Sequence, residues 1–560
     1  MKNREILTLQ FGNYANYVGT HFWNIQESGF QYGSEGELSE INHDVMFREG
    51  QNHRGEVTYT PRMLCVDLNG ALSHLAEDGE LYSDDTTVKL RSGDLGAVAG
   101  EIPWQKERIE VVREGESSSK PAFQKDLQNL GQNQMEVEYN FSKTVNSWTD
   151  FMYSRYHPRS INIIKDYNHS DEENSFDTFS NGRGMWKNDY FDDEFGDRIR
   201  HYMEECDSCQ GFQVTFDCTD GFSGLTTKCL EDIKDDHGKT ILVYPLIPPP
   251  VRNFKKADGP MTSSIQVVNL AMCFASLVEN SSLFVPLSTM VRGWRDVVNS
   301  REFPNVSYDS MNLYQSSAIL ATFLDTMTMK FRAKDNLQPQ PLSEFCADLN
   351  GYGWNLCSAN LGLPFSVPVP GSVCDTMDGS KALFTHLTPN SEISEALKMH
   401  TTVRGIHRMQ IASMDPRESR PVQPAELSVF PYGAASFKLE KLLTEHKYGS
   451  SIPVMAMETP MPVKIPFPEE IFSREINQLG YLGPYPRESD MKMISTPVLA
   501  SISSTKKTGE TIDSLHRVAE RVKLAKLPRF RETGLESDEY TETLHKLLDF
   551  RDLYDDNMQL

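Results

Sequence analysis

The chain is poor in cysteine. Nine are scattered irregularly over 560 residues, which excludes the disulfide framework of a small secreted protein and predicts free thiols in a reducing compartment. Long apolar runs are also scarce: "TILVYPLIPPPV" is broken by prolines and falls short of the ~20 residues that a membrane helix needs. No transmembrane segment is expected. The opening "MKNREILTLQ" has neither the apolar centre of a signal peptide nor the Arg/Ser-rich, acid-free character of a mitochondrial presequence. Basic charge is the next shortage. With 55 Lys and Arg against 79 Asp and Glu the formal charge is −24, which disfavours nucleic acid and anionic lipid as partners. No G-x-G-x-x-G follows the first apolar segment with an acid some 20 residues on, so a dinucleotide-dependent dehydrogenase has little support.

What remains is a long soluble chain with room for three or four structural units. Its first half alternates strand and helix. "REILTL" reads as a short buried strand, followed by Gly12 and a helical stretch with Tyr14, Val18, Phe22 and Ile25 on one face. "RMLCVDL", "GFQVTFDC" and "TILVYPL" read as further buried strands, and Leu225 to Asp236 as a crossover helix. Such repetition predicts a parallel sheet with ligands at the carboxyl ends of its strands. A long helix is predicted from Leu313 to Arg332, a proline-rich region follows it, and the tail offers two amphipathic helices, one with Ile512, Leu515, Val518 and Val522, the other with Tyr540, Leu544, Leu547 and Leu548.

Several segments carry a resemblance to tubulin. "REILTLQFGNYANYVGTHFW" is similar to the tubulin opening, with Gln10, Gly12, Asn16, Gly19, Phe22 and Trp23 in register; "YTPRMLCVDLNG", "GRGMWKNDY", "ECDSCQGFQ" and "LVEN" follow in the family's order. The polar insertions, the segment "YSRYHPRSINII" and the divergent second half resemble the Misato family of tubulin-related proteins. That resemblance implies an α/β, tubulin/FtsZ-like parallel-sheet domain of the nucleotide-binding type with insertions, then a second α+β domain and a helical tail. The expected divisions are a tubulin-like segment over 1–112, a polar insertion over 113–150, a segment completing the parallel-sheet domain over 151–312, a proline-rich second domain over 313–500 and the tail over 501–560.

The same resemblance implies a nucleotide site, and the residues on it are altered. The tubulin phosphate loop, rich in glycine so that backbone amides can approach the phosphates, becomes "TDGFSGL", with only Gly221 and Gly224 kept, Phe222 adding bulk and Asp220 adding charge. Asn13, Tyr14 and Asn69 replace residues around the nucleotide, Ser288 or Thr289 stands where an Asn reads guanine, and Asp309 lies near the position of the acid that activates a neighbour's GTP. A residual nucleotide or anion site would comprise Gln10, Gly12, Asn13, Asp67, Gly221, Ser223 and Gly224. No catalytic residue and no metal site is expected, and GTP only with low affinity. The Cys206/Cys209 pair has no second Cys/His pair at zinc-finger spacing and is expected to pack as ordinary cysteines; His157 has no partner for catalysis.

The implied function is that of a non-catalytic tubulin-like protein regulating mitochondrial distribution, morphology and inheritance, in the cytoplasm and peripherally on the outer surface of mitochondria. Expected partners are chaperonin, tubulin or mitochondrial outer-membrane proteins. The alternatives are a polymerising tubulin-like GTPase and a co-factor of chaperonin-dependent tubulin folding and spindle microtubule assembly.

Overall fold

The computed structural model describes residues 4–30, 39–51, 55, 57–77, 120–129, 138–171, 174–188, 190–250, 259–294, 297, 299–365, 383–407, 410–411, 432–483, 485–488 and 490–555. Much of the predicted insertion over 113–150, and the proline-rich stretch beyond Phe365, lie outside the described residues.

Six strands form the first sheet: β1 (Ile6–Phe11), β2 (Met63–Asn69), β3 (Ile161–Asn168), β4 (Gly211–Asp217), β5 (Thr240–Leu246) and β6 (Leu283–Phe284). Their order is β3-β2-β1-β4-β5-β6 and every neighbouring pair is parallel. Every residue of β1 and β4 is buried. Both faces of this sheet are covered, which is why its strands read as apolar runs without alternation. One face packs against α1 (Asn13–Ser28), the other against α4 (Gly221–His237) and α5 (Gly259–Asn280). Two shorter helices, α2 (Phe179–Met185) and α3 (Gly196–Glu204), precede β4. The fold is therefore the expected α/β parallel-sheet architecture. The crossover helix starts at Gly221, four residues earlier than the sequence suggests, because Asp220 caps it there.

The helix predicted from Leu313 to Arg332 is present with those bounds, as α6. It runs between the first sheet and a second one made of β7 (Ser358–Gly362), β8 (Thr385–His386), β9 (Lys398–Arg404), β10 (Val454–Met457) and β11 (Val498–Ser504), ordered β8-β7-β11-β9-β10. Only β9 and β10 are parallel within it. Because α6 is enclosed on all sides, from Ser316 to Arg332 each of its residues is buried. The helix α7 (Tyr432–Glu445) covers the far face of the second sheet.

Burying α6 also buries its charges, and they are paired. Asp325 takes the Arg332 guanidinium at 2.6 Å and the Arg404 guanidinium, at the end of β9, on its other oxygen. Arg332 reaches further to Gln26 on α1 (2.9 Å) and lies over the Phe22 ring; Arg404 donates to the Pro460 carbonyl at 3.0 Å. One carboxylate thus ties α1, α6 and the second sheet together.

The tail helices α8 (Thr508–Ala519) and α9 (Ser537–Asp555) lie on α5. Val522, expected within α8, lies just past its end. Met261–Asn280 is long and apolar enough to cross a membrane, a run that the sequence reading passed over. Its most apolar window is 61% buried, and α9 is anchored along it by the Thr543–Met272 and Lys546–Glu279 contacts. The apolarity of α5 follows from being covered on two sides, by sheet and by tail.

Removing one member of a buried ion pair leaves the rest of the charge unpaired, at a cost of roughly 3–5 kcal/mol. Asp325→Ala is expected to lower the urea midpoint of the full chain by a corresponding amount; an unchanged midpoint would show that the triad does not hold the two sheets together.

Candidate functional site

In a sheet of this kind the cleft lies beyond the carboxyl ends of the strands. There the chain leaves β1 through Gly12 and enters α1, carries Asp67 in the last residues of β2, and leaves β4 at Asp217 to turn through Thr219 and Asp220 into α4. The structure brings Gly12, Asn13, Asp67, Gly221, Ser223 and Gly224 to this edge. Gln10 is set back from it: its side chain lies against Gly19 of α1, so closely that a Cβ at residue 19 would sit 2.3 Å from its amide nitrogen.

The first turn of α1 points its free amides into the cleft, as helix N-termini do, and such a turn attracts an anion. Here an acidic side chain of the protein occupies that place. The Asp217 carboxylate accepts from Tyr14 N on one oxygen and from Ala15 N on the other, both at 2.9 Å. Gly12 makes room for it: with φ at +106°, it is in the region that favours glycine, and a Cβ there would lie 2.6 Å from an Asp217 oxygen. The Gly12 amide is itself engaged by Val66 O. Asn13, the first residue of the helix, is partly exposed.

The second helix start is closed in the same way. Gly221 N donates to Phe176 O at 3.1 Å, Phe222 N to the Asp220 side chain at 2.9 Å, and Ser223 N to Asp220 O at 3.1 Å. The Ser223 hydroxyl also turns back onto Asp220 O. Gly224 serves helix packing: a Cβ on it would sit 1.8 Å from Phe179 O, and one on Gly182 would sit 1.7 Å from Gly221 O. Gly182 and Gly224 thus let α2 cross α4 at backbone contact. Asn269 of α5 secures the crossing, donating to Asp177 O and Thr219 O and accepting from Phe179 N.

Asp67 is likewise engaged. Its carboxylate accepts from Asn16 Nδ2 (3.0 Å), Trp148 Nε1 (2.9 Å) and its neighbour Leu68 N (2.8 Å). On the α6 side, the Tyr14 phenol is bonded to Ser316 at 3.2 Å with Tyr308 close by, and the Tyr308 hydroxyl donates to Arg301 O. Ser288 and Thr289 are fully buried; the Ser288 hydroxyl donates to Ile247 O. Asp309 accepts from Met311 N in the turn that precedes α6. His157 caps its own turn by accepting from Arg159 N.

The electrostatics oppose an incoming phosphate. Burial, and then the nearby Asp220 charge, raise the Asp217 carboxyl well above the ordinary carboxylate range, against the pull of its two amide donors. Desolvation, with Asp67 and Asp177 adding to it, pushes Asp220 up to about 8. Burial raises Asp67 too. A phosphate entering the cleft would meet acidic side chains already raised by burial and by one another, and none of the three offers it a positive charge. The guanidinium of Arg529, from the tail, is engaged by Asp177 and Ser175 at the cleft's margin. Among the described residues no group of three or more His, Cys, Asp or Glu is arranged to hold a metal ion.

The sequence reading had no role for Asp217, which looks like the last residue of an apolar strand, nor for Asn269, Trp148 or Gly182. One signal was available: an acid ending a strand that is otherwise buried throughout needs donors, and the nearest are at the start of α1.

A Misato segment II tubulin-like domain matches residues 4–129, and a tubulin domain matches 139–333. Protein misato of Drosophila melanogaster is 38% identical, with 100% of this chain and 99% of the relative covered. Protein misato homolog 1 of Homo sapiens is 29% identical over 98% of both chains. Protein DML1 of Phaeosphaeria nodorum is 30% identical over 60% of each.

A carboxyl whose pKa is higher folded than unfolded takes up protons on folding, so its contribution to stability is full below the unfolded value and is lost as pH rises through the folded one. For Asp220 the window runs from about 4 to about 8. Over it, wild-type stability is expected to fall more steeply with pH than that of Asp220→Asn, which keeps an acceptor for Phe222 N; parallel denaturation curves would refute the assignment.

Proposed function

The chain belongs to the Misato family of tubulin-like proteins, and from that premise we propose that it is a non-catalytic member acting through protein partners to set mitochondrial distribution, morphology and inheritance. The observation that supports this reading is the Asp217 carboxylate on the first turn of α1. A ligand phosphate would have to displace a covalently tethered competitor and accept its charge nearby, and the amides of the second helix start are already paired. In this reading Gln10, Gly12, Asn13, Asp67, Gly221, Ser223 and Gly224 keep the frame of a nucleotide site, GTP binds weakly or not at all, and no hydrolysis follows.

What such a frame supplies is rigidity. A sheet buried on both faces and clamped to a second sheet holds surface loops in fixed relation, which suits a protein that works by docking others. The partners proposed are chaperonin, tubulin or proteins of the mitochondrial outer membrane, reached from the cytoplasm by peripheral association.

Titration of the purified chain with fluorescent GTP and magnesium is expected to show no saturable binding at micromolar nucleotide, no phosphate release and no nucleotide-dependent pelleting. Sub-micromolar binding with turnover would overturn the reading. In cells depleted of the protein, Asn13→Ala is expected to restore the mitochondrial network as fully as wild type; failure of the folded variant to do so would point to a nucleotide-dependent role.

A further inference from the structure

Of the eight described cysteines, six are buried: Cys65, Cys218, Cys229, Cys273, Cys346 and Cys357. Burial raises all six thiols, which keeps them protonated and unreactive. Cys206 and Cys209 differ. They lie in the turn between α3 and β4, at the end of the sheet opposite the cleft, and both are partly exposed.

The turn is held from outside. The Glu5 carboxylate accepts from Asp207 N (3.1 Å) and Ser208 N (2.9 Å), the two residues between the cysteines, and Glu5 O accepts from Gln210 N at 2.8 Å. Glu5 is 2% exposed, so this is an anchored loop. Held in that way, the two cysteines, three residues apart, share one fixed turn. Their remaining contacts are weak, Cys206 Sγ to Tyr202 O at 3.2 Å and Cys209 Sγ to Gly211 O at 3.8 Å. Neither sulfur is packed as the other six are, and no third or fourth ligand accompanies them among the described residues.

We propose that Cys206 and Cys209 form a peroxide-oxidisable dithiol, a modification site that closes into an intramolecular disulfide. The Cys206 hydrogen bond, aided by the Gly211 backbone and the charge of Lys239, lowers Cys209 to about 7 against the effect of burial, whereas Cys206 is raised. The roles follow. The Cys209 thiolate attacks one oxygen of hydrogen peroxide; the O–O bond breaks, Cys209 gains the hydroxyl as a sulfenic acid, and the departing hydroxide is protonated to water. Cys206 Sγ then attacks the Cys209 sulfur, the S–O bond breaks, and the hydroxide leaves with the Cys206 proton as a second water. Two thiols give up two electrons to one peroxide. Forming an S–S bond of about 2.05 Å between residues of one fixed turn needs side-chain rotation rather than movement of the backbone clamp.

The test uses the full chain with Cys374→Ser, which removes the one cysteine outside the described residues. After native exposure to hydrogen peroxide and alkylation, the tryptic peptide from His201 to Lys228 carries Cys206, Cys209 and the buried Cys218. The expected result, once the protein is denatured for labelling, is loss of alkylation at Cys206 and Cys209 with Cys218 still labelled, restored by dithiothreitol. Cys206→Ser is expected to trap a dimedone-reactive sulfenic acid on Cys209. If both thiols stay alkylatable, or each is oxidised to sulfinic acid without cross-linking, in protein with a wild-type circular dichroism spectrum, the proposal fails.

Discussion

Two backbone amides at the start of α1 face the cleft of the first sheet, and in this chain the group that meets them is the Asp217 carboxyl, held at 2.9 Å by both. Its presence explains features that look unrelated in the sequence. Gly12 has to lack a side chain beside the carboxylate. Asp220 turns to its own helix, where it caps α4. Asp67 draws on Asn16 and Trp148 for the donors that a buried carboxylate requires. A tethered carboxylate has a high effective concentration and loses little freedom on binding, an advantage that a diffusing phosphate cannot match.

The second constraint lies at the other end of α6. A helix enclosed between two sheets has no solvent face on which to place a charge, yet Asp325, Lys330 and Arg332 are all within it. Asp325 and Arg332 are paired with Arg404 from β9. Lys330 donates to Pro453 O, and burial lowers its amine to about 7. Such groups stabilise the packing only when complete, so they specify how the second sheet sits on the first.

Much of the first sheet was legible. Its strands are short, apolar and bounded by Gly, Asp or Pro, and the spacing of Tyr14, Val18, Phe22 and Ile25 identified α1. The ends read for α6 match the structure, in which Asn312 caps the helix and Ala333, in the β region, ends it. The second sheet was not legible: its strands are brief, far apart in sequence and paired mostly antiparallel across long excursions. The β3 strand from Ile161 to Asn168 offers no continuous apolar run to mark it, since three of its eight residues are exposed. At the cleft, the substitutions at Asp220 and Phe222 were visible in the sequence. The engagement of the α1 amides by Asp217 was not, because it depends on a contact between residues 203 positions apart.

The cover on α5 has a consequence for how the chain is made. The helix is complete when residue 280 has been synthesised, but the helix that lies on it begins at Ser537. Roughly 250 residues separate the two, on the order of 10–50 s of translation at typical elongation rates. During that interval the outer side of an apolar helix is uncovered on a nascent chain that cannot finish folding. Synthesis order alone therefore leaves this apolar surface without its cover for the length of that interval.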